Sequence, residues 1–338
     1  MFQGPTAEGR KTARPRRFLR DIARHLAIIL VTLGAIEIML RVVDFRDLRD
    51  GYGAGYPIVF RHDPELGWSP VPNSVAEFHG SRTITVQHNS LGLRDIEPAG
   101  PRRPTVLFVG DSLVWGYDVE AGDRFTERLR MNRPDLKIIN AGVPGYGTDQ
   151  EYLLLNRVWD ATQPDVVILM VCVQNDREDN TSNVRYGGYL KPYLEQAPDG
   201  QWRFSGQPVP WSRFAYFNSS ALVRASWLAR LGVSAFVQLR YPVVSVTDPT
   251  ERVIRMMRDL VEARSGKFMV GLQYHDAQLE SFLQAQGISF TSFDGAPSFD
   301  GTHWTPTGHE IVASRLQSLL ETVGVAELAR SAEWAEDR

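Results

Sequence analysis

After Pro104 the sequence alternates between short apolar runs and longer amphipathic stretches. Thr105–Val109 reads as a strand, Asp123–Met131 as a helix and Lys137–Asn140 as a second strand. Asp149–Trp159 is helical, with Tyr152, Leu155 and Trp159 at helical spacing. Val166–Val171 is continuously apolar, which predicts a central strand buried on both faces. A helix over Thr250–Ala263, a strand over Phe268–Leu272, a helix over Ala277–Gln286 and a short strand over Ile288–Phe290 follow. The last helix has the clearest signature. Thr305 is placed to cap it, Pro306 suits its first turn, and Val312, Leu316, Leu319, Leu320 and Val323 form one stripe. This alternation predicts an α/β protein with a doubly wound parallel sheet and helices on both faces. Right-handed crossovers leave few topologies open.

Two regions stand outside the alternation. Residues 177–217 carry few periodic apolar positions and many aromatics, and read as an insertion over the strand C-terminal edge. A helical segment near Ala221–Leu239 follows it. Tyr186, Tyr189, Tyr193, Trp202, Phe204, Trp211, Tyr216 and Phe217 could line a groove that stacks on sugar rings. They could equally supply the small core that such an insertion needs, and the core reading is preferred. Upstream of the sheet, residues 46–60 read as a linker and Val59–Val86 as short and turn-rich. Thr83–Gln87 alternates like an edge strand. The Pro-rich stretch Pro98–Pro104 marks the start of the main domain.

The N-terminus has a different chemistry. Arg10, Lys11, Arg14, Arg16, Arg17, Arg20 and Arg24 precede an apolar stretch from Leu26 to Val43, broken by Glu37 and Arg41. A spanning helix needs about 20 mostly apolar residues. Glu37 and Arg41 can pair at i,i+4, and Arg41 lies near the end, where it can snorkel. No small-residue cleavage site follows, so a retained signal anchor is preferred to a cleaved signal peptide or a buried helix. The basic flank places residues 1–24 in the cytoplasm and the rest outside. The expected organisation is a basic segment (1–24), an anchor (25–43), and a linker with a small β-rich region (44–103). A main domain (104–325) with its insertion and a tail (326–338) complete it.

Composition narrows the function. The net charge of −3 argues against broad nucleic-acid binding. Cys172 is the single cysteine, so an intramolecular disulfide and a cysteine metal cluster are excluded; it reads as a buried small hydrophobe. The seven histidines show no paired ligand spacing, and no phosphate-cradling loop is present. Neither a metal nor a cofactor is expected.

Four blocks carry chemistry. Val109-Gly110-Asp111-Ser112-Leu113 follows the first strand, so Ser112 stands on a turn facing the crevice, its N–H near a helix start. The second strand ends in Asn140-Ala141-Gly142-Val143-Pro144-Gly145-Tyr146-Gly147 and the third in Gln174-Asn175-Asp176. Asp300-Gly301-Thr302-His303 precedes the last helix. All four fall at one sheet edge. A serine hydroxyl needs an adjacent base, which His303 can be, and a carboxylate on the other ring nitrogen fixes the tautomer. Asp111 reads as a brace for the turn, Asp176 as a cap, and His309 as a structural or exposed histidine. Trp115 and Trp304, beside the serine and the histidine, are candidate pocket walls.

With these blocks, in this order, the chain resembles the SGNH/GDSL hydrolase superfamily from about Thr105 to Val323, apart from the insertion. The resemblance implies a flavodoxin-like three-layer sandwich. It implies Ser112 as nucleophile with Asp300 and His303 as its partners, and an oxyanion hole from Ser112, Gly145 and Asn175. The family often has glycine two residues before the asparagine; here Val173 stands there. A membrane-anchored serine esterase removing a small acyl group, acetyl in the leading reading, from an envelope or exported glycan is expected. An O-acyltransferase with the same triad and a non-catalytic glycan-binding component are the alternatives. The sequence leaves the oligomeric state open.

Overall fold

The computed structural model describes residues 14–49, 59–98, 100, 103–322 and 324. Arg10 and Lys11 of the basic segment, residues 50–58 of the linker, Val323 and the tail 326–338 lie outside the described residues. The chain opens with the helix α1 (Arg14–Val43). Two antiparallel hairpins follow: β1 (Phe60–Asp63) with β2 (Gly67–Pro70), and β3 (Val75–His79) with β4 (Thr83–Gln87). The expected edge strand is thus one arm of a hairpin.

The alternating region then runs β5 (Thr105–Gly110), α2 (Ser112–Trp115), α3 (Phe125–Asn132), β6 (Lys137–Gly142), α4 (Thr148–Thr162), β7 (Val166–Val171) and α5 (Asp176–Asn180). The segment that breaks the alternation holds β8 (Val184–Arg185), β9 (Tyr189–Leu190), β10 (Tyr193–Gln196) and β11 (Trp202–Ser205). It continues through α6 (Arg213–Phe217), α7 (Ala221–Ala225) and α8 (Trp227–Arg240). The chain returns to the sheet through α9 (Thr250–Ala263), β12 (Lys267–Leu272), α10 (Ala277–Ala285), β13 (Ser289–Ser292) and α11 (Pro306–Thr322). The Thr305 hydroxyl accepts from the Gly308 N–H at 3.1 Å, so it caps α11.

The central sheet has the order β13-β12-β7-β5-β6, and every pair is parallel. Strand order reverses between β5 and β7, and in such sheets ligands bind in the crevice at that point. Successive residues face opposite layers. Val106 and Phe108 pack with Phe125, Leu129, Val312 and Leu316. Leu107 and Val109 pack with Leu155, Trp159, Ile254 and Met257. This two-sided burial is why the strands read as unbroken apolar runs. β6 runs on through Gly142, beyond the expected end at Asn140. A Cβ at Gly142 would lie 2.2 Å from the Trp115 nitrogen, so close backbone contact demands a residue with no apolar signal.

The hairpins do not form a layer of their own. Val59, Phe60, Leu66, Trp68, Phe78, Ile84, Val86 and Leu93 share one core cluster with the sheet. Buried Arg94 lies 4.6 Å over the Trp115 ring and donates to the carbonyls of Trp115, Gly116 and Val119 at 3.0, 2.6 and 2.9 Å. Asp95 accepts from Arg130 at 2.6 Å and from the Asn140 N–H at 2.8 Å. The arm is therefore bound to β6 and to the turn that carries Ser112. Within Arg17–Val43, α1 is long and apolar enough to cross a membrane: it holds an 18-residue window of mean hydropathy 2.3, with 6% of that window buried.

Candidate active site

β5 delivers Ser112 to the first position of α2. Asp111 follows the strand and caps α2, its carboxylate accepting from the Leu113 N–H at 2.9 Å. The Ser112 hydroxyl lies 2.9 Å from His303 Nε2, and His303 Nδ1 lies 2.7 Å from Asp300 Oδ2. The other Asp300 oxygen accepts from the N–H groups of Thr302 and His303 at 2.9 and 2.7 Å. Burial pushes the Asp300 carboxyl up. Those N–H groups and the ring outweigh it, so Asp300 sits below the usual carboxylate range. Ser112, His303 and Asp300 are thus one hydrogen-bonded row.

The chain matches the model of the GDSL-like lipase/acylhydrolase family over residues 108–311. The chain belongs to this family. It is accordingly a carboxylic ester hydrolase. Among solved structures, it is similar to a member of the lipolytic protein G-D-S-L family from Veillonella parvula. The identity is 13%, covering 63% of this chain and 96% of that one, with a TM-score of 0.38. It is similar to a GDSL-like lipase from Bacteroides thetaiotaomicron at 14% identity, covering 67% and 92%, with a TM-score of 0.36. It is also similar to an acetyl xylan esterase at 12% identity, covering 63% and 98%, with a TM-score of 0.37. No curated protein matches it.

In this GDSL-family chain, Gly145 and Asn175 follow β6 and β7, the two neighbours of β5. Gly145 has φ +79°, which favours glycine, and a Cβ there would meet the Tyr186 ring at 2.7 Å. The Asn175 Oδ1 is buried without a hydrogen-bond partner. Beside Ser112 a cavity of about 50 Å³ is lined by Phe60, Trp68, Phe78, Tyr117, Pro144, Tyr186, Tyr189 and His303. The hairpin arm supplies three of these walls and the insertion two. Tyr186 and Tyr189 therefore reach the cavity, whereas Phe214 and Phe217 are core.

Trp115 and Trp304 do not form pocket walls. Trp115 is fully buried behind Phe60 and Phe78, at 6.2 and 5.0 Å between ring centroids. Trp304 is buried against Phe125, Phe293 and His309. Neighbours in sequence point to different sides of the chain, so adjacency to Ser112 or His303 does not place a ring beside them. His309 is a core residue that accepts from the Phe125 N–H at 3.3 Å, and burial pushes it down to about 3. Asp176 accepts from the Cys172 N–H at 2.8 Å, and burial pushes the Cys172 thiol up.

Several contributors carried no sequence signal. The Tyr117 ring stacks on His303 at 4.4 Å and 23°. Gln273 ties two loops together, donating to the Thr302 carbonyl at 3.3 Å and accepting from the Gln174 N–H at 3.3 Å. The Trp68 indole N–H donates to the Pro144 carbonyl at 3.2 Å, which braces the Gly145 loop. Beneath that loop lies a buried carboxyl cluster. Lys191 Nζ is 2.6 Å from Asp149, both side chains wholly buried, and it also donates to the carbonyls of Asp179 and Ser182. Burial and the charges of Asp176, Asp111, Asp149 and Asp179 push Glu151 well above the carboxylate range. Both causes favour the uncharged form of Glu151. Among the described residues, no group of three or more His, Cys, Asp or Glu is arranged to hold a metal.

Proposed function

We propose that this chain removes a small acyl group, acetyl in the first instance, from an esterified glycan of the cell envelope, using Ser112 as nucleophile. The observation that carries this reading is the Ser112–His303–Asp300 row opening on a small aromatic cavity. His303 Nε2 takes the hydroxyl proton as Oγ attacks the ester carbonyl carbon. Asp300 holds the tautomer, and the face of Tyr117 favours the imidazolium that forms. The oxyanion of the tetrahedral intermediate is received by the Ser112 and Gly145 N–H groups and the Asn175 amide. The C–O bond to the sugar breaks, and His303 returns the proton to the leaving hydroxyl. Water then repeats the sequence on acyl-Ser112, with His303 as base, and releases the free acid.

The cavity supports a short acyl group. One water needs about 10–15 Å³ in a space of this kind, so about 50 Å³ admits a few heavy atoms. The location rests on α1 as a retained span, its basic flank inside and the enzyme on the outer face of the inner membrane. The test is hydrolysis of p-nitrophenyl acetate and octanoate by the full chain in detergent, beside Ser112→Ala. Acetate should be preferred by about tenfold or more, and Ser112→Ala should be inactive. Equal rates on octanoate would overturn the small-acyl reading. With an oligosaccharide added, acetylated sugar forming faster than free acetate would overturn the hydrolase.

A further inference from the structure

The segment from β11 to the residues before α9 is unusual in charge. From Gln201 to Thr247 it holds five arginines and no Asp or Glu. Arg213 and Arg230 are buried, while Arg203, Arg224 and Arg240 are exposed. The same segment carries large apolar side chains in the open: Leu222 (71% exposed), Leu231, Phe236 (52%), Leu239 (87%) and Val243. On α8, Leu231, Ala235 and Leu239 recur at i,i+4 and share one face with Phe236. Val237 and Ser234 lie on the opposite, buried face. Each exposed apolar residue alone needs no explanation. A continuous apolar face bordered by arginines, with no acid in the segment, fits an anionic bilayer surface.

Position supplies the second argument. The N-terminus of α8 is latched to α1. Glu37 accepts from the Trp227 and Leu228 N–H groups at 3.0 and 2.8 Å and from the Ser226 hydroxyl at 3.0 Å. It therefore joins Ser226 in capping a helix distant in sequence. Arg41 donates to Glu37 at 2.8 Å and to the Ala225 carbonyl. Glu37 lies six residues before Val43, the end of α1, or about 9 Å along the helix axis. Interfacial helices sit at a depth of about 5–10 Å. If α1 spans the bilayer, the start of α8 is held at that depth.

We propose that α7 and α8 form a membrane-seated platform, with their exposed apolar face in the outer headgroup boundary of an anionic bilayer. This rests on the reading of α1 as a membrane span. The platform carries the insertion with it, because α6 packs on α8 and Phe214 of α6 packs on the pocket residue Tyr189 at 4.6 Å.

The experiment uses the full chain reconstituted in vesicles of equimolar phosphatidylcholine and phosphatidylglycerol. An environment-sensitive dye is attached at Phe236→Cys, Leu239→Cys, Leu30→Cys in α1, or Gln317→Cys on α11, one site at a time in a Cys172→Ala background. Nitroxide lipids serve as quenchers. Dyes at 236 and 239 should emit to the blue and lose most of their emission, as should the dye at 30, while the dye at 317 is unaffected. Quenching at 30 without quenching at 236 and 239 would overturn the platform while leaving the span intact. Absence of quenching at 30 would overturn the span and the platform with it. Blue-shifted but unquenched dyes at 236 and 239, with cross-linking between chains, would assign the face to a second copy and also overturn it. Arg224→Gln with Arg240→Gln should reduce quenching at 239 when phosphatidylglycerol is present and leave it unchanged in pure phosphatidylcholine.

Discussion

The buried pair Lys191–Asp149 offers a direct measurement of what holds the insertion over the site. Both side chains are wholly buried at 2.6 Å. Replacing Lys191 with Met keeps the length of the side chain and removes its charge. Asp149 then stands buried without a counter-ion, and the carbonyls of Asp179 and Ser182 lose a donor. Breaking a buried pair from one side costs about 3–5 kcal/mol. The ceiling is set by protonation. Burial already pushes Asp149 up while Lys191 pulls it down, so without Lys191 the carboxyl can take a proton instead. A carboxyl raised in the folded state destabilises as pH climbs from its unfolded value toward its folded one. Lys191→Met should therefore cost more at pH 8 than at pH 5. Adding Asp149→Asn removes the orphan charge while keeping an oxygen for the Gln150 N–H, now accepted at 2.8 Å. The double variant should recover about 2 kcal/mol or more of the loss. Urea unfolding of the full chain in detergent, followed by tryptophan emission, measures all four corners of the cycle. A single-variant cost under about 1 kcal/mol, or a double variant no better than Lys191→Met, would refute the reasoning.

Asn175→Ala should lower kcat by about 10²–10³-fold with little change in KM, measured on p-nitrophenyl acetate; an unchanged kcat would remove Asn175 from the oxyanion hole. Tyr117→Leu should reduce kcat by about 3–30-fold, as expected for an aromatic face against a cation, and Tyr117→Phe should restore it; a loss confined to KM would contradict this. Burial and the surrounding acids favour the uncharged form of Glu151, so Glu151→Gln should change stability by less than about 1 kcal/mol; a larger loss in urea unfolding would count against an uncharged Glu151. His309 titrates at about 3 in the folded chain and near 6.5 when unfolded. The unfolded chain therefore takes the proton first, and the stability of neutral His309 is lost as pH falls from about 6.5 to 3. The penalty of His309→Gln should shrink by about 2 kcal/mol between pH 7 and pH 5. An equal penalty at both pH values would argue against a buried neutral ring.

The parts of the fold legible in the sequence are those that repeat. Val166–Val171 is apolar throughout because β7 is covered on both faces, and the stripe on α11 follows its contact with α3. The serine and histidine blocks could be read because each ends at the same edge of one sheet. What was not legible depends on contacts between distant segments. Nothing local in Phe60, Trp68 or Phe78 says that a hairpin folds back to wall a cavity beside Ser112. Glu151 lies in the first turn of α4, where an acid suits the helix dipole without being buried; here it is wholly buried beside Asp176 and Asp179 of α5. Glu37 could be paired with Arg41 by spacing, and they do pair, but its larger task is to cap α8, nearly two hundred residues on. The pattern follows from the architecture. A doubly wound sheet delivers a nucleophile and a base to one crevice but gives that crevice few walls of its own. Phe60, Trp68, Phe78, Tyr186 and Tyr189 come from the two segments where the alternation fails. On the proposed reading, the selectivity of this esterase therefore resides where the sequence has the weakest periodicity. Replacing those segments should change the accepted ester while the Ser112–His303–Asp300 row keeps its geometry.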